Sequence, residues 1–196
     1  MVNKDFFTKY SQIFIEENHK VNLISKNDEK FLWEKHICDS LALEKFFSKY
    51  GAPETLLDIG TGGGFPAVPL AIMYPQIKIC ALDSISKKIR AVQTFKDKLG
   101  LKNLTPVCMR VENLDQTFNV VTSRAVAALK KICAYAMPKT KRDGYFVAYK
   151  SVRVHDEIKD AQDVLKKYNS KIIDIIEYDL PLEENFKRNL VVIKKQ

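Results

Sequence analysis

Only seven glycines occur in the 196 residues, yet Gly60, Gly62, Gly63 and Gly64 fall within one five-residue window. Glycine tolerates left-handed backbone and lets main chain approach a ligand closely. The window lies between Thr55–Ile59, an apolar run read as a strand, and Ala67–Tyr74, read as a helix. A turn of this kind presents helix-start N–H groups to the crevice beyond the strand ends. The same alternation continues along the chain. Strands are expected over Ile77–Leu82, Leu104–Met109, Phe118–Thr122 and Tyr145–Tyr149, and helices over Ser86–Leu99, Ala125–Met137 and His155–Tyr168. Repeated βα units predict an α/β fold with a doubly wound parallel sheet. The closing strands Lys171–Tyr178 and Leu190–Lys194 have no helix between them and must pair antiparallel. Ahead of the first strand, Phe6, Phe7, Tyr10, Ile13 and Phe14 recur at helical spacing, and Asn27 or Asp28 caps a second helix. The division expected is an N-terminal helical extension over 1–53 and a Rossmann-like domain over 54–196, folded as a single unit.

Composition excludes several classes. Hydrophobic residues make up 46% and charged residues 29%, which is globular rather than disordered. No apolar run approaches a membrane span, and Lys4, Asp5 and Lys9 interrupt any secretory signal at the start. Cys38, Cys80, Cys108 and Cys133 sit singly in apolar segments, so neither a disulfide framework nor a metal site is expected, and a reducing cytoplasmic setting is. The net charge of +8 is unevenly spread: residues 1–53 balance eight bases against eight acids, whereas 125–196 hold fifteen against ten. Lys139, Lys141, Arg142, Lys150 and Arg153 oppose only Asp143 over their stretch, a basic run that favours a nucleic-acid partner.

The glycine string selects among ligands. A dinucleotide fingerprint starting at Gly60 would need a third glycine at position 65, which is Phe65. Asp58-x-Gly60-x-Gly62-x-Gly64 instead resembles the loop of class I methyltransferases that use S-adenosyl-L-methionine. Asp83 stands 19 residues after Gly64, directly behind the second strand, where an adenosyl ribose needs a carboxylate acceptor. The alternative for Asp83 is to cap the following helix. Arg110-Val111-Glu112-Asn113 follows the third strand, where the adenine would lie. Behind the fourth strand stands Thr122-Ser123-Arg124-Ala125 rather than the Asp/Asn-Pro-Pro-aromatic motif of exocyclic amine methylation, and no cysteine has the setting of a cytosine-C5 nucleophile. A nucleophile that needs little activation remains. Guanine N7, whose in-plane lone pair carries no proton, fits, and a small molecule stays open.

The specific strings are Asn22-Leu23, His36-Ile37-Cys38-Asp39-Ser40-Leu41, Asp58-Ile59-Gly60-Thr61-Gly62, Leu82-Asp83-Ser84, Arg110-Val111-Glu112, Ser123-Arg124-Ala125 and Leu190-Val191-Val192-Ile193-Lys194. With these the chain resembles the bacterial small-subunit ribosomal RNA (guanine-N7) methyltransferase G family, also called glucose-inhibited division protein B. The resemblance implies a class I methyltransferase domain of seven strands with an antiparallel last strand, acting with S-adenosyl-L-methionine on 16S ribosomal RNA or the small subunit, as a monomer. It implies that Gly60, Phe65, Val111, Glu112 and Arg124 bind the cofactor, to which the loop reading adds Gly62 and Asp83. Lys150 and Arg188 match basic positions on the RNA side, and Lys139, Lys141 and Arg142 are further RNA candidates from charge. Catalysis is expected by positioning, with Arg124 and Lys150 as candidates. The chain departs from the family at Gly62-Gly63-Gly64, Ala67, Lys150-Ser151 and Arg188-Asn189. Arg124 is expected to hold the methionine carboxylate or to pair with Glu112. His36 and Asp39 read as packing or capping residues and Trp33 as core. Two other readings remain: a methyltransferase for DNA or a small molecule, and a module that binds cofactor or RNA without turnover.

Overall fold

The strands are β1 (Thr55–Ile59), β2 (Lys78–Asp83), β3 (Leu104–Cys108), β4 (Phe118–Arg124), β5 (Thr140–Ser151), β6 (Ser170–Leu180) and β7 (Phe186–Lys195). In the computed structural model, which describes residues 4–182 and 186–196, they form one sheet in the order β3-β2-β1-β4-β5-β7-β6. The first five pair in parallel, and β7 runs antiparallel between β5 and β6. Strand order reverses at β1 and β4, so the crevice rule places a ligand beyond the carboxyl ends of those two strands. Residues 56–59 and 120–123 are buried without alternation, as strands covered on both faces must be.

Helices cover both faces. On one side lie α1 (Lys4–Val21), α2 (Lys26–Glu29), a π-helical turn over Leu32–Cys38, α3 (Asp39–Leu41), α4 (Glu44–Tyr50), α5 (Ala67–Met73) and α6 (Ser86–Leu99). On the other lie α7 (Leu129–Lys139), α8 (Val154–Asp160) and α9 (Gln162–Lys167). The sequence pattern anticipates most of this. Gly100 stops α6 in left-handed backbone, and its N–H returns to the carbonyls of Asp97 and Lys96.

Among the boundaries that differ, three have a clear local reason. The helix expected from Ala125 begins at Leu129, because Ala125 takes a φ of +56° and residues 125–128 form an irregular turn. The helix expected over His155–Tyr168 is two short ones meeting at Ala161. The strand expected at Leu190 starts at Phe186, since pairing with β6 extends it. Residues 1–3, at the head of the expected extension, lie outside the described residues. Trp33 is not core: it is 39% exposed and meets Phe7 edge-on at 5.5 Å. The wider π-helical turn buries Leu32 and Ile37 and rotates Trp33 off that face.

The N-terminal helices share the apolar core of the sheet. Phe14 of α1 lies 5.1 Å from Phe65 behind the glycine turn and 5.6 Å from Phe95 of α6, and Tyr10 lies 5.5 Å from Phe95. All four rings are essentially buried. Phe14→Ala is therefore expected to lower the unfolding free energy by about 3–5 kcal/mol in urea titration, with a single transition because α1 and the sheet unfold together.

Candidate active site

The turn after β1 is built on left-handed glycines: φ is +72° at Gly60, +56° at Gly62 and +91° at Gly64. A Cβ on Gly64 would fall 2.6 Å from Val68 Cγ2, and one on Gly60 2.5 Å from Val126 Cγ2. The N–H groups of Gly60 and Thr61 both donate to the Leu82 carbonyl, at 2.8 and 2.9 Å, which ties the turn to the end of β2. There Asp83 completes the brace. Its Oδ2 accepts from the Gly62 N–H at 3.0 Å, and its Oδ1 accepts from the Ile85 N–H at 2.9 Å. The second bond closes the turn ahead of α6 without capping the helix itself, whose N-cap is Ile85, and the first positions the glycine turn. Both roles fall to one residue. A carboxylate offers about four acceptor sites, so two backbone donors leave capacity for hydroxyl donors.

Beyond these strand ends opens a cleft of about 320 Å³, whose lining includes Gly60, Asp83, Arg110, Val111, Glu112 and Val126. Gly60, Asp83, Val111 and Glu112 thus meet in one place, with Gly62 bonded to Asp83 at its edge. Phe65 and Arg124 lie behind the turn instead. Phe65 is 4% exposed and packs on Phe14, Tyr10 and the His36 ring, 5.1 Å away.

Arg124 does not pair with Glu112. Its Nη1 donates to Asp39 Oδ2 at 2.7 Å and to the Lys35 carbonyl at 3.1 Å, and its Nη2 meets His36 Nδ1 at 3.0 Å. Its guanidinium carbon stands 5.2 Å from the Phe65 ring centre. Burial and the Arg124 charge push the His36 imidazole down to about 4, so it is neutral at pH 7 and Nδ1 accepts. His36 and Asp39 are thus partners of a buried arginine rather than packing groups. The sequence held only half of this signal: His36 and Asp39, three apart on a helical segment, share a face, but nothing local in the sequence points to their arginine.

Asp58 lies fully buried at the floor of the turn, with Thr122 Oγ1 at 3.4 Å. Burial pushes its carboxyl up to about 7, while Thr61, Arg124 and Thr122 draw it back down. Burial also pushes the thiols of Cys80 and Cys133 up to about 12 and that of Cys38 to about 11. Among the described residues no His, Cys, Asp and Glu groups converge for a metal.

The basic candidates divide. Lys150 Nζ donates to the Ala127 carbonyl at 2.8 Å and to Glu157 Oε2 at 2.6 Å, and that oxygen also accepts from the Leu129 N–H at the head of α7. The turn over residues 125–128 is therefore clamped from behind. Lys150 and Arg188 line a second cavity of about 160 Å³, which shares Ala125 and Val126 with the cleft. Lys139 is turned inward to the carbonyls of Leu114 and Glu112. Lys141 and Arg142 stand at the start of β5, level with the start of β4. At ~3.3 Å per residue, nine positions of strand put Lys141 roughly 30 Å from Lys150. The basic run does not form one patch, because a twelve-residue strand carries its halves to opposite ends of the sheet.

Comparison with known proteins decides the family. The family model for rRNA small subunit methyltransferase G, GidB, matches residues 3–190. The chain belongs to that family. It is 35% identical to the ribosomal RNA small subunit methyltransferase G of Clostridium botulinum strain Eklund 17B, over 96% of this chain and 81% of that protein. It is 34% identical to the one from Thermoanaerobacter sp. strain X514, over 100% and 83%. Among solved structures, magnesium protoporphyrin IX methyltransferase from Synechocystis PCC 6803 with bound SAM aligns with a TM-score of 0.66 at 12% identity, covering 88% of this chain and 86% of that one. M. jannaschii TYW2 in complex with AdoMet gives 0.60 at 16%, covering 80% and 75%. These structural likenesses establish the class I methyltransferase fold, with its antiparallel β7.

Asp58 carries a pH signature. Its folded pKa is raised above the ordinary 3.8, so it stabilises the fold while protonated and loses that contribution as pH rises toward about 7. Asp58→Asn removes the titration. The stability of the variant relative to the unaltered protein is expected to climb by up to a few kcal/mol between pH 4 and 7 and then level off, read by urea titration at each pH. A constant difference across that range contradicts the assignment.

Proposed function

We propose that this protein transfers the methyl group of S-adenosyl-L-methionine to N7 of a guanine in 16S ribosomal RNA, as a monomer in the cytoplasm. The observation that carries the reading is the brace of Asp83 on the glycine turn, at the mouth of the cleft, in a chain matching the family over residues 3–190. No helix among the described residues is long and apolar enough to cross a membrane.

The residues at the cleft fit the cofactor. Asp83 has acceptor capacity left for ribose hydroxyls, and Val111 and Glu112, which line the same cleft, are the proposed border of the adenine. At Gly60 the missing side chain lets Val126, another residue of the cleft lining, pack directly against the turn, since a Cβ would fall 2.5 Å from Val126 Cγ2. The cofactor supplies an electrophilic methyl group on a sulfonium. The chain's own task is to hold the acceptor base against it and exclude competing geometries, which is catalysis by positioning. Guanine N7 carries no proton, so no side chain need act as general base. In A-form RNA the N7 edge faces a groove too deep and narrow for side chains, so the guanine must come from a loop, bulge or opened helix. Lys150 and Arg188, beside the second cavity, are the proposed RNA-facing residues. Lys141 and Arg142 lie at the far end of the sheet, so any phosphates they meet belong to a distant part of the RNA.

Two experiments test the reading. Asp83→Ala is expected to weaken S-adenosyl-L-methionine binding roughly ten- to hundred-fold by calorimetry, the loss of a charge-assisted hydrogen bond; unchanged affinity in a folded variant contradicts the ribose assignment. Replacing the target guanine by 7-deazaguanine is expected to abolish methyl transfer, and continued transfer rules out N7.

A further inference from the structure

The cleft and the second cavity share more than the wall formed by Ala125 and Val126. Behind that wall a single carboxylate, Asp39, is 1% exposed and spends both oxygens on residues of the sheet. Oδ2 accepts from Arg124 at 2.7 Å and stands 3.6 Å from Arg188 Nη2. Oδ1 accepts from the Tyr178 hydroxyl at 2.5 Å. The next residue adds a fourth tie: the Tyr149 hydroxyl donates to the Ser40 carbonyl at 2.7 Å. Arg124, Tyr149, Tyr178 and Arg188 come from β4, β5, β6 and β7, so one short helix of the extension fastens four strand ends.

The charge balance says what Asp39 does. Arg124 and Arg188 are both largely covered, with side chains 13% and 21% exposed, and one carboxylate serves the pair. A covered guanidinium is tolerated only with a charge partner and satisfied donors. Arg124 has both, through Asp39, His36 and the Lys35 carbonyl. Arg188 is incompletely satisfied: its Nε is buried with no hydrogen-bond partner, and the residue lines the second cavity. Asp39 therefore aims one arginine at Phe65, under the glycine turn, and holds the other beside the cavity with a donor unspent.

We propose that Asp39 is a positioning residue of the methyl-transfer site, fixing Arg124 behind the cofactor cleft and Arg188 at the acceptor-side cavity through one shared carboxylate. The inference rests on the functional reading above. It makes the N-terminal extension part of the active site although none of its described residues lines the cleft.

The test uses the full chain with 15N-labelled arginine. In the unaltered protein the Nε–H signals of Arg124 and Arg188, assigned by Arg124→Lys and Arg188→Lys, are expected to be resolved from the averaged signals of exposed arginines. Asp39→Asn, which keeps shape and removes charge, is expected to move both toward the averaged position and to slow single-turnover methyl transfer about tenfold or more. Combined with Arg188→Lys, it is expected to lose no more rate than the worse single variant, because both remove the same arrangement. Tyr178→Phe removes one hydrogen bond and no charge. It is expected to shift the same two signals with a smaller rate loss, which keeps the test decisive where Asp39→Asn fails to fold. Unmoved arginine signals in either folded variant, or rate losses that multiply in the double variant, overturn the proposal. The arginine signals do not depend on turnover, so absence of RNA methylation by the unaltered protein would count against the functional reading alone.

Discussion

The bond from the Gly62 N–H to Asp83 is the interaction around which the site is organised. Three left-handed residues in a five-residue turn are costly to fix, and the turn is held by atoms at the end of the neighbouring strand: the Leu82 carbonyl and the Asp83 carboxylate. Parallel pairing of β1 with β2 brings those atoms into range, with Ile59 level with Leu82. The sheet thus presets the main-chain geometry of the cleft, and the carboxylate that shapes the turn also lines that cleft. Preorganisation of this kind spares a bound ligand the cost of ordering the loop.

How much of this was legible in the sequence depends on range. Period-two and period-3.6 patterns encode local choices, so the strands 55–59 and 78–83 and the helix ending at Gly100 were readable almost to the residue. The glycine turn and Asp83 were readable because their chemistry demands particular residue types at a particular spacing. The position of Ala125 in left-handed backbone was not, since alanine carries no signal for it. Nor was the pairing of Arg124 with Asp39, 85 residues apart, because a salt bridge across the fold leaves no local pattern. That the basic run from Lys139 to Arg153 forms no single patch was hidden for the converse reason: neighbours in sequence along an extended strand are distant in space.

The N-terminal helices take their meaning from that long-range contact. Their aromatic residues pack on Phe65 and Phe95, and α3 closes over the ends of β4 to β7. Sequence divides the chain at residue 53, whereas the apolar core and the Asp39 cluster run across that division. Neutral overall, the extension contributes packing and one well-placed carboxylate, while the basic surplus lies in the later segments.

The central claim, methylation of a guanine at N7 in 16S ribosomal RNA, is tested most directly by mass mapping of that RNA from cells with and without the protein. The account predicts one 16S fragment that is lighter by a single methyl group in its absence, with the missing group on a guanine N7. The group is restored by the unaltered protein and not by Asp83→Ala. Identical fragment masses in the two strains, or a change confined to another base, would contradict it.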